Sequence, residues 1–157
     1  MLINEEEVIN LAKEVGFRVE VVTPKAMSQL QSFAELVNRC HVLLGVHGAG
    51  LTNMIFLRPG AVLVQVVPWG LDWVSSAYYH LPAEGMGLKY VEYKVNVEES
   101  TLLEKYPIDH QVITDPHSIH MKGYNVSKPI YIDGQNVHLN LTRFRGTLET
   151  AMRLSSI

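Results

Sequence analysis

The chain holds one cysteine, Cys40, among its 157 residues, so no internal disulfide can form. A single unpaired cysteine favours a reducing compartment. Nowhere does the sequence offer the roughly twenty consecutive apolar residues that cross a bilayer. Its opening, "MLINEEEVIN", has neither a basic n-region nor a long apolar stretch, so no signal peptide is visible. Positive charge is not in excess: 13 Lys and Arg stand against 16 Asp and Glu, a net charge of −3. Nucleic acid therefore meets no basic field. The pattern G-x-x-x-x-G-K-[ST] is missing, which excludes a P-loop. So is G-x-S-x-G, which argues against an α/β-hydrolase.

What remains is an ordinary globular composition, 47% apolar and 18% charged. The length suits one compact domain that buries roughly 70% of its unfolded surface. Two sequons, "NVS" at Asn125 and "NLT" at Asn140, are acceptors for N-glycans in a secretory lumen. They point away from the compartment that the lone cysteine favours.

Read along the chain, Asn4 and Glu7 form a capping box ahead of a helix whose apolar stripe is Val8, Leu11, Ala12 and Val15. Gly16 is placed to end it. "FRVEVV" (17–22) alternates and is β-branched, which predicts a strand. Ser28 and Gln31 repeat the capping box before Leu30, Phe33, Ala34 and Val37. "HVLLGV" (41–46) and "AVLVQVV" (61–67) are continuous apolar runs, expected as strands buried on both faces. Helices are expected at 51–57 and 71–82, and a strand at 88–95. Residues 96–137 are polar and broken by Pro107, Pro116, Gly123, Pro129 and Gly134; they read as a long loop or excursion. A C-terminal helix over about 138–155 carries Leu141, Phe144, Leu148, Ala151 and Met152. Alternating strand and helix signals predict an α/β fold, a Rossmann-like parallel sheet flanked by helices, as one domain over 1–157. A parallel sheet normally has a strand ahead of the first helix, so the domain is expected to be N-terminally truncated.

The stretch "LLGVHGAGLTN" (43–53) carries the chemistry. A buried strand runs into a histidine, three small residues and a helix start. In an open parallel sheet, ligands bind beyond the carboxyl ends of the strands. The first-turn N–H groups of a helix lack partners there, and its dipole adds about half a positive charge. Gly48, Ala49 and Gly50 strip away the bulk that would hold a phosphate off those groups. His47 is placed to donate to a phosphate oxygen or to act on the reacting centre, and Thr52 and Asn53 add polar groups. The plainer alternative is a tight turn beside a hydrogen-bonded core histidine. Gly45, Gly48 and Gly50 are spaced three then two, the reverse of the dinucleotide fingerprint, and Gln65 stands where an acidic ribose ligand belongs. A dehydrogenase is disfavoured.

On the same rim, "VVPWGLDW" (66–73) offers Pro68, Trp69, Asp72 and Trp73 as sugar or base contacts, or as mere edge burial. "DPHSIH" brings His117 and His120 near His110, but without convergent ligands no metal is expected. "NEEE" is a charged first turn that complements a helix dipole.

The run "GVHGAGLTNMIFLRPGAVLVQVVP", the later "YYHLPAEGMGLKYVEYKV" and the tail "NVHLNLTRFRGTLETAM" together resemble the C-terminal half of glycosyltransferase family 61, most closely its plant xylan arabinosyl- and xylosyltransferases. The resemblance implies an inverting GT-B enzyme with two Rossmann-like domains, a UDP-sugar donor and no required metal or other cofactor. This chain would be the donor-binding C-terminal domain, inactive alone. A pentose would pass to xylan or another glycan, in the Golgi lumen, from a single-pass type II membrane protein. His47, Gly48, Ala49, Gly50, Leu51, Thr52 and Asn53 would lie at the diphosphate, and Pro68, Trp69 and Asp72 near sugar or acceptor. Thr23 and Pro24 would approach the uracil. The family's first domain, stem, anchor and a basic residue before "MLIN" have no counterpart here, so the missing half is a partner and a source for the catalytic base. Within this chain His47 and Asp72 are the base candidates. The rival reading is a non-catalytic nucleotide-binding module or inactive truncated product.

Overall fold

The computed structural model describes residues 1–156. Along the chain run α1 (Glu5–Val15), α2 (Pro24–Met27), α3 (Leu30–Arg39), β1 (Val42–Val46) and a 3-10 stretch (Ala49–Phe56). β2 (Val62–Val67), α4 (Asp72–Ser75), a π turn (Ser76–His80), α5 (Leu81–Gly85) and β3 (Lys89–Lys94) follow. Past two further 3-10 turns come α6 (Gln111–Thr114), α7 (Pro116–His120), α8 (Tyr124–Ser127) and α9 (Leu141–Ser155). The three strands form one parallel sheet in the order β1-β2-β3, with Val42 opposite Val62 and Val62 opposite Lys89.

β2 is the centre of the molecule because its side chains are apolar on both faces, Gln65 excepted, and all six residues are buried. Period-two alternation divides them. Val62 and Val64 pack with Ala151, and Val66 with Val8, Leu11, Phe144 and Leu148, so α1 and α9 cover one face. Leu63 packs with Phe33, Val37, Leu51, Tyr79 and Ala83, so α3, the 3-10 stretch and α5 cover the other. Each fully buried valine or leucine contributes about 1.5–3 kcal/mol of hydrophobic stabilisation.

Several expectations change. "FRVEVV" forms no strand: Phe17 and Val19 pack against the α1–α9 core, yet residues 18–22 make no backbone hydrogen bond to a strand. β1 is correspondingly an edge strand, half-buried along its whole length rather than buried on both faces. The side chain of Asn4 does not cap α1; it is buried and clasps Leu139, donating from Nδ2 to the carbonyl at 3.0 Å and accepting from the amide at 2.9 Å. α3 begins after Gln29, and Ser28 bonds back to the Lys25 carbonyl. The predicted 51–57 helix is the tighter 3-10 form. Residues 96–137 fold into short helical turns, too brief to show a period. Leu102, Val112, Ile113, Ile119 and Tyr131 bury themselves around Leu71. Gly70 lets Tyr131 close on the rim: its φ is +79° and a Cβ there would sit 2.7 Å from the ring. Among the described residues, no helix is long and apolar enough to cross a membrane.

Candidate functional site

The turn after β1 stands at the carboxyl end of the sheet. The N–H of His47 donates to the Val66 carbonyl at 2.9 Å, which stitches the turn to β2. The 3-10 stretch folds straight back because Gly45 has no side chain; a Cβ there would lie 2.8 Å from Leu51 Cδ2. The Leu51 side chain is thereby buried in the core, and its N–H goes to the Gly48 carbonyl at 3.0 Å.

The turn is polarised. Tyr79 Oη donates to the same Gly48 carbonyl at 2.6 Å, Thr52 Oγ1 to the Ala49 carbonyl at 2.6 Å, and Asn53 Nδ2 to the Gly50 carbonyl at 2.8 Å. The carbonyl side is thus occupied. By contrast the N–H groups of Gly48, Ala49 and Gly50 have no partner among the described residues. A 3-10 start leaves its first N–H groups unpaired for the same reason that an α-helix does. Among the described residues the turn is little covered: Gly48 is half-buried, Ala49 and Gly50 are exposed, and a Cβ added to Gly50 would meet no atom within 4 Å. The corner is open, not plugged. It is a rim rather than an enclosed cavity; two hollows lie elsewhere, at Gln29–Glu35 and around Cys40, Arg58 and Ser155.

His47 is held by residues that the motif does not contain. Its Nδ1 lies 2.9 Å from Gln65 Nε2 and 3.1 Å from Ser75 Oγ. Tyr90 Oη donates to Gln65 Oε1 at 2.7 Å, which turns the amide nitrogen toward the histidine. An amide nitrogen only donates, so Nδ1 accepts and the ring proton sits on Nε2. Nε2 has no partner among the described residues. Tyr79 meets the imidazole edge-on, with ring centroids 5.2 Å apart. Burial holds the pKa of His47 below the usual histidine value, so the ring is a neutral Nε2–H donor. Burial likewise raises the pKa of Tyr90, helped by Glu92, so its hydroxyl stays protonated.

The other sequence candidates divide. Asp72 opens α4 and pairs with Lys94 Nζ at 2.9 Å, on the exposed rim; this hydrogen bond raises the pKa of Lys94. Pro68 is buried. Trp69 is turned inward: its Nε1–H donates to the Ile113 carbonyl at 3.2 Å and its backbone N–H to Gln135 Oε1 at 2.9 Å. Trp73, by contrast, stands 78% exposed. Thr23 Oγ1 caps α2 by accepting from the Ala26 amide at 3.3 Å, with Pro24 at the first helical position. His110 Nδ1 accepts from the Val112 amide, and His120 Nε2 donates to the Gly70 carbonyl at 2.6 Å, stacked on Tyr131. Asn125 and Asn140 are both exposed, and Asn140 also caps α9. Gln65, Ser75, Tyr79 and Tyr90 were missed as site residues. Only Gln65 carried a signal, as the one polar residue inside an apolar strand.

The model of the family described as Glycosyltransferase 61 matches residues 1–64. The chain is 44% identical over 97% of its length to Alpha-1,3-arabinosyltransferase XAT3 of Oryza sativa subsp. japonica, and covers 27% of that protein. It is 47% identical over 96% to Beta-1,2-xylosyltransferase XAX1 of the same species, covering 26% of it. It is 39% identical over 92% to Xylan glycosyltransferase MUCI21 of Arabidopsis thaliana, covering 29% of it. The chain belongs to glycosyltransferase family 61. It therefore spans little more than a quarter of the length of these relatives. The family 61 match includes the whole Gly48 turn and stops one residue short of Gln65, so the partners of His47 other than the turn itself lie beyond it.

Proposed function

We propose that this chain is the donor-binding domain of a GT-B enzyme that moves a sugar, by inversion and without a metal, from a UDP-sugar to xylan or a related glycan. The pentose and the xylan acceptor come from the names of the relatives. The single observation that carries the donor site is the polarised turn: three unpartnered N–H groups beside a neutral Nε2–H donor, over an open floor. A departing UDP concentrates negative charge on its diphosphate, and fixed donors aimed at that charge are the largest single source of transition-state stabilisation in many enzymes. The macrodipole adds to them. Asp72 and the exposed Trp73 stand on the same rim for sugar or acceptor. The open rim fits a site completed by a second domain, and the exposed Asn125 and Asn140 fit a Golgi-lumenal chain tethered to the membrane.

Calorimetry of UDP against the chain tests this reading. A hydrogen bond to a charged group is worth about 1.5–3 kcal/mol, so His47→Ala is expected to weaken UDP about 10- to 100-fold. No heat at millimolar UDP, or equal affinity in the variant, overturns the donor site and leaves an inert module. The chain alone is expected to transfer no sugar, and radiolabelled pentose appearing on xylan oligosaccharides would refute that. Expressed in the secretory pathway, the protein is expected to shift on N-glycosidase digestion; an unshifted band would refute lumenal placement.

A further inference from the structure

β3 carries a row of polar side chains on one face. Tyr90, Glu92 and Lys94 are two residues apart, so period-two alternation sets them side by side. The row leads away from His47. Tyr90 Oη lies 2.7 Å from Gln65 Oε1 and 3.4 Å from Glu92 Oε2. The other oxygen of Glu92 lies 3.7 Å from Lys94 Nζ, which Asp72 anchors at 2.9 Å. Lys94, Glu92, Tyr90 and Gln65 thus join Asp72 to the imidazole through consecutive polar contacts.

A phenol has one proton, and here it has two acceptors to choose from. His80 stacks on the Tyr90 ring, with centroids 4.1 Å apart and planes 10° from parallel, so the ring is held and the O–H alone turns. Its direction decides what His47 is. With the proton on Gln65 Oε1, the amide shows Nε2 to the histidine, Nδ1 accepts, and the imidazole hydrogen sits on its own Nε2. With the proton on Glu92, the Gln65 amide turns over. Its nitrogen then donates to the Tyr90 oxygen, its Oε1 accepts from Nδ1–H, and Nε2 of His47 is left with a lone pair. Ser75 Oγ both donates and accepts, so it serves either arrangement. Gln65 is satisfied both ways, and acceptor strength chooses between them. A hydrogen bond to an ionised acceptor is roughly twice as strong as a neutral one. A bare carboxylate beside Tyr90 would take the proton. Lys94 stands against that: its ammonium draws on Glu92, whose Oε2 at 3.4 Å lies well outside the roughly 2.5–2.7 Å of a charge-assisted O–H bond.

We propose that Glu92 and Lys94 are positioning residues for His47: Lys94 restrains the Glu92 carboxylate, which keeps the Tyr90 proton on Gln65 and the imidazole hydrogen on Nε2. Both act through Gln65, which is fully buried. Glu92 and Lys94 are themselves exposed, so substitutions there cost little stability. Asp72 is not required for this setting, since a Lys94 released from it still has Glu92. The consequence for UDP rests on the donor site proposed above; the tautomer of His47 does not.

Long-range proton–nitrogen correlation of the imidazole tests the pair at about pH 8, where the depressed pKa of His47 leaves the ring neutral. Loss of the signal in His47→Ala assigns it. Lys94→Met removes the cation, and the ratio of Nε2–H to Nδ1–H is expected to fall at least about tenfold. Lys94→Arg keeps the charge and is expected to keep the parent tautomer. In Lys94→Met/Glu92→Gln the competing carboxylate is gone as well, and the Nε2–H form is expected to return. Structural damage at Lys94 would not be repaired by a second substitution at Glu92. An unmoved tautomer in Lys94→Met, or a double variant that stays on Nδ1–H, overturns the inference. UDP calorimetry on the same variants separates it from the donor reading. UDP is expected to weaken about tenfold in Lys94→Met and to recover in the double variant. A tautomer that switches while UDP affinity holds would sustain the positioning pair and overturn the contact of His47 with the diphosphate.

Discussion

Gln65→Glu is the sharpest perturbation of the site, because it changes one atom's chemistry at the contact that fixes His47. Gln65 is fully buried, and its Nε2 lies 2.9 Å from His47 Nδ1. A carboxylate in that place accepts where the amide donated. It draws the ring proton to Nδ1 and favours the imidazolium. A carboxylate in direct contact shifts a partner's pKa by about 1–3 units, or about 1.4–4 kcal/mol. That acts against the lowering by burial, and the expected outcome is a His47 that titrates above its ordinary 6.5. The buried charge itself costs several kcal/mol, so the variant is less stable at every pH.

The pH dependence decides the matter. In the parent chain the folded pKa of His47 is depressed, so its contribution to stability is complete above about pH 6.5 and falls as pH drops below it. In Gln65→Glu the folded pKa is raised, so the contribution is complete below about 6.5 and is lost as pH climbs through the raised value. The slope from this group reverses sign, by up to about 1.4 kcal/mol per pH unit in either direction. Chemical denaturation from pH 5 to 8 reads the slope, and long-range proton–nitrogen correlation of the imidazole reads the tautomer. A parent ring protonated at Nδ1, or a variant His47 titrating at or below 6.5, would refute the reasoning.

Gly50→Val is expected to leave stability within about 0.5 kcal/mol, since its side chain enters open space. UDP titration of that variant should weaken about tenfold or more if, as proposed, the diphosphate sits over that turn, since the branched side chain would crowd it. Gly70→Ala is expected to cost about 2–4 kcal/mol in urea denaturation, combining a φ of +79° with a Cβ 2.7 Å from the Tyr131 ring. Asn4→Ala leaves the buried Leu139 amide and carbonyl without their side-chain partner and should cost about 2–4 kcal/mol by the same measurement.

Much of the fold was readable from period and punctuation. "VLVQVV" is a strand because β-branched residues dominate it, "KYVEYK" carries Tyr90, Val91 and Tyr93 among its six residues, and Phe144, Leu148 and Ala151 form one face of α9 as their spacing requires. Local pattern failed where tertiary partners decide. "FRVEVV" has the composition of a strand but no neighbour to bond. Asn4 has the chemistry of a cap, but Leu139 offers its side chain two buried hydrogen bonds instead. The helical turns between 96 and 137 are three to five residues each, shorter than any window in which a period can repeat. For the site, the bare turn at Gly48–Gly50 was legible, since three residues with little or no side chain cannot cover their own N–H groups. Ser75, Tyr79 and Tyr90 were not: they arrive from a π-interrupted helix and from β3, and only the winding of the sheet brings them to His47.

That winding also separates two roles that sequence left joined in one residue. A general base must turn an unprotonated lone pair toward the acceptor hydroxyl. The lone pair of His47 is on Nδ1, facing Gln65 Nε2 and Ser75 Oγ, and the atom left over is Nε2–H. A ring so held donates. To serve as base it would have to break both contacts, flip, and leave the Gln65 amide and the Ser75 hydroxyl unpaired, at about 1–3 kcal/mol for each buried group. Donation asks for no such rearrangement, because Nε2–H has no partner among the described residues. Asp72 is the other candidate the sequence offered, and its Lys94 partner is exposed and separable, so of the two only Asp72 presents an exposed lone pair. His47→Ala should therefore weaken UDP, while Asp72→Asn should leave UDP affinity within about twofold. The opposite pattern would return His47 to the list of bases.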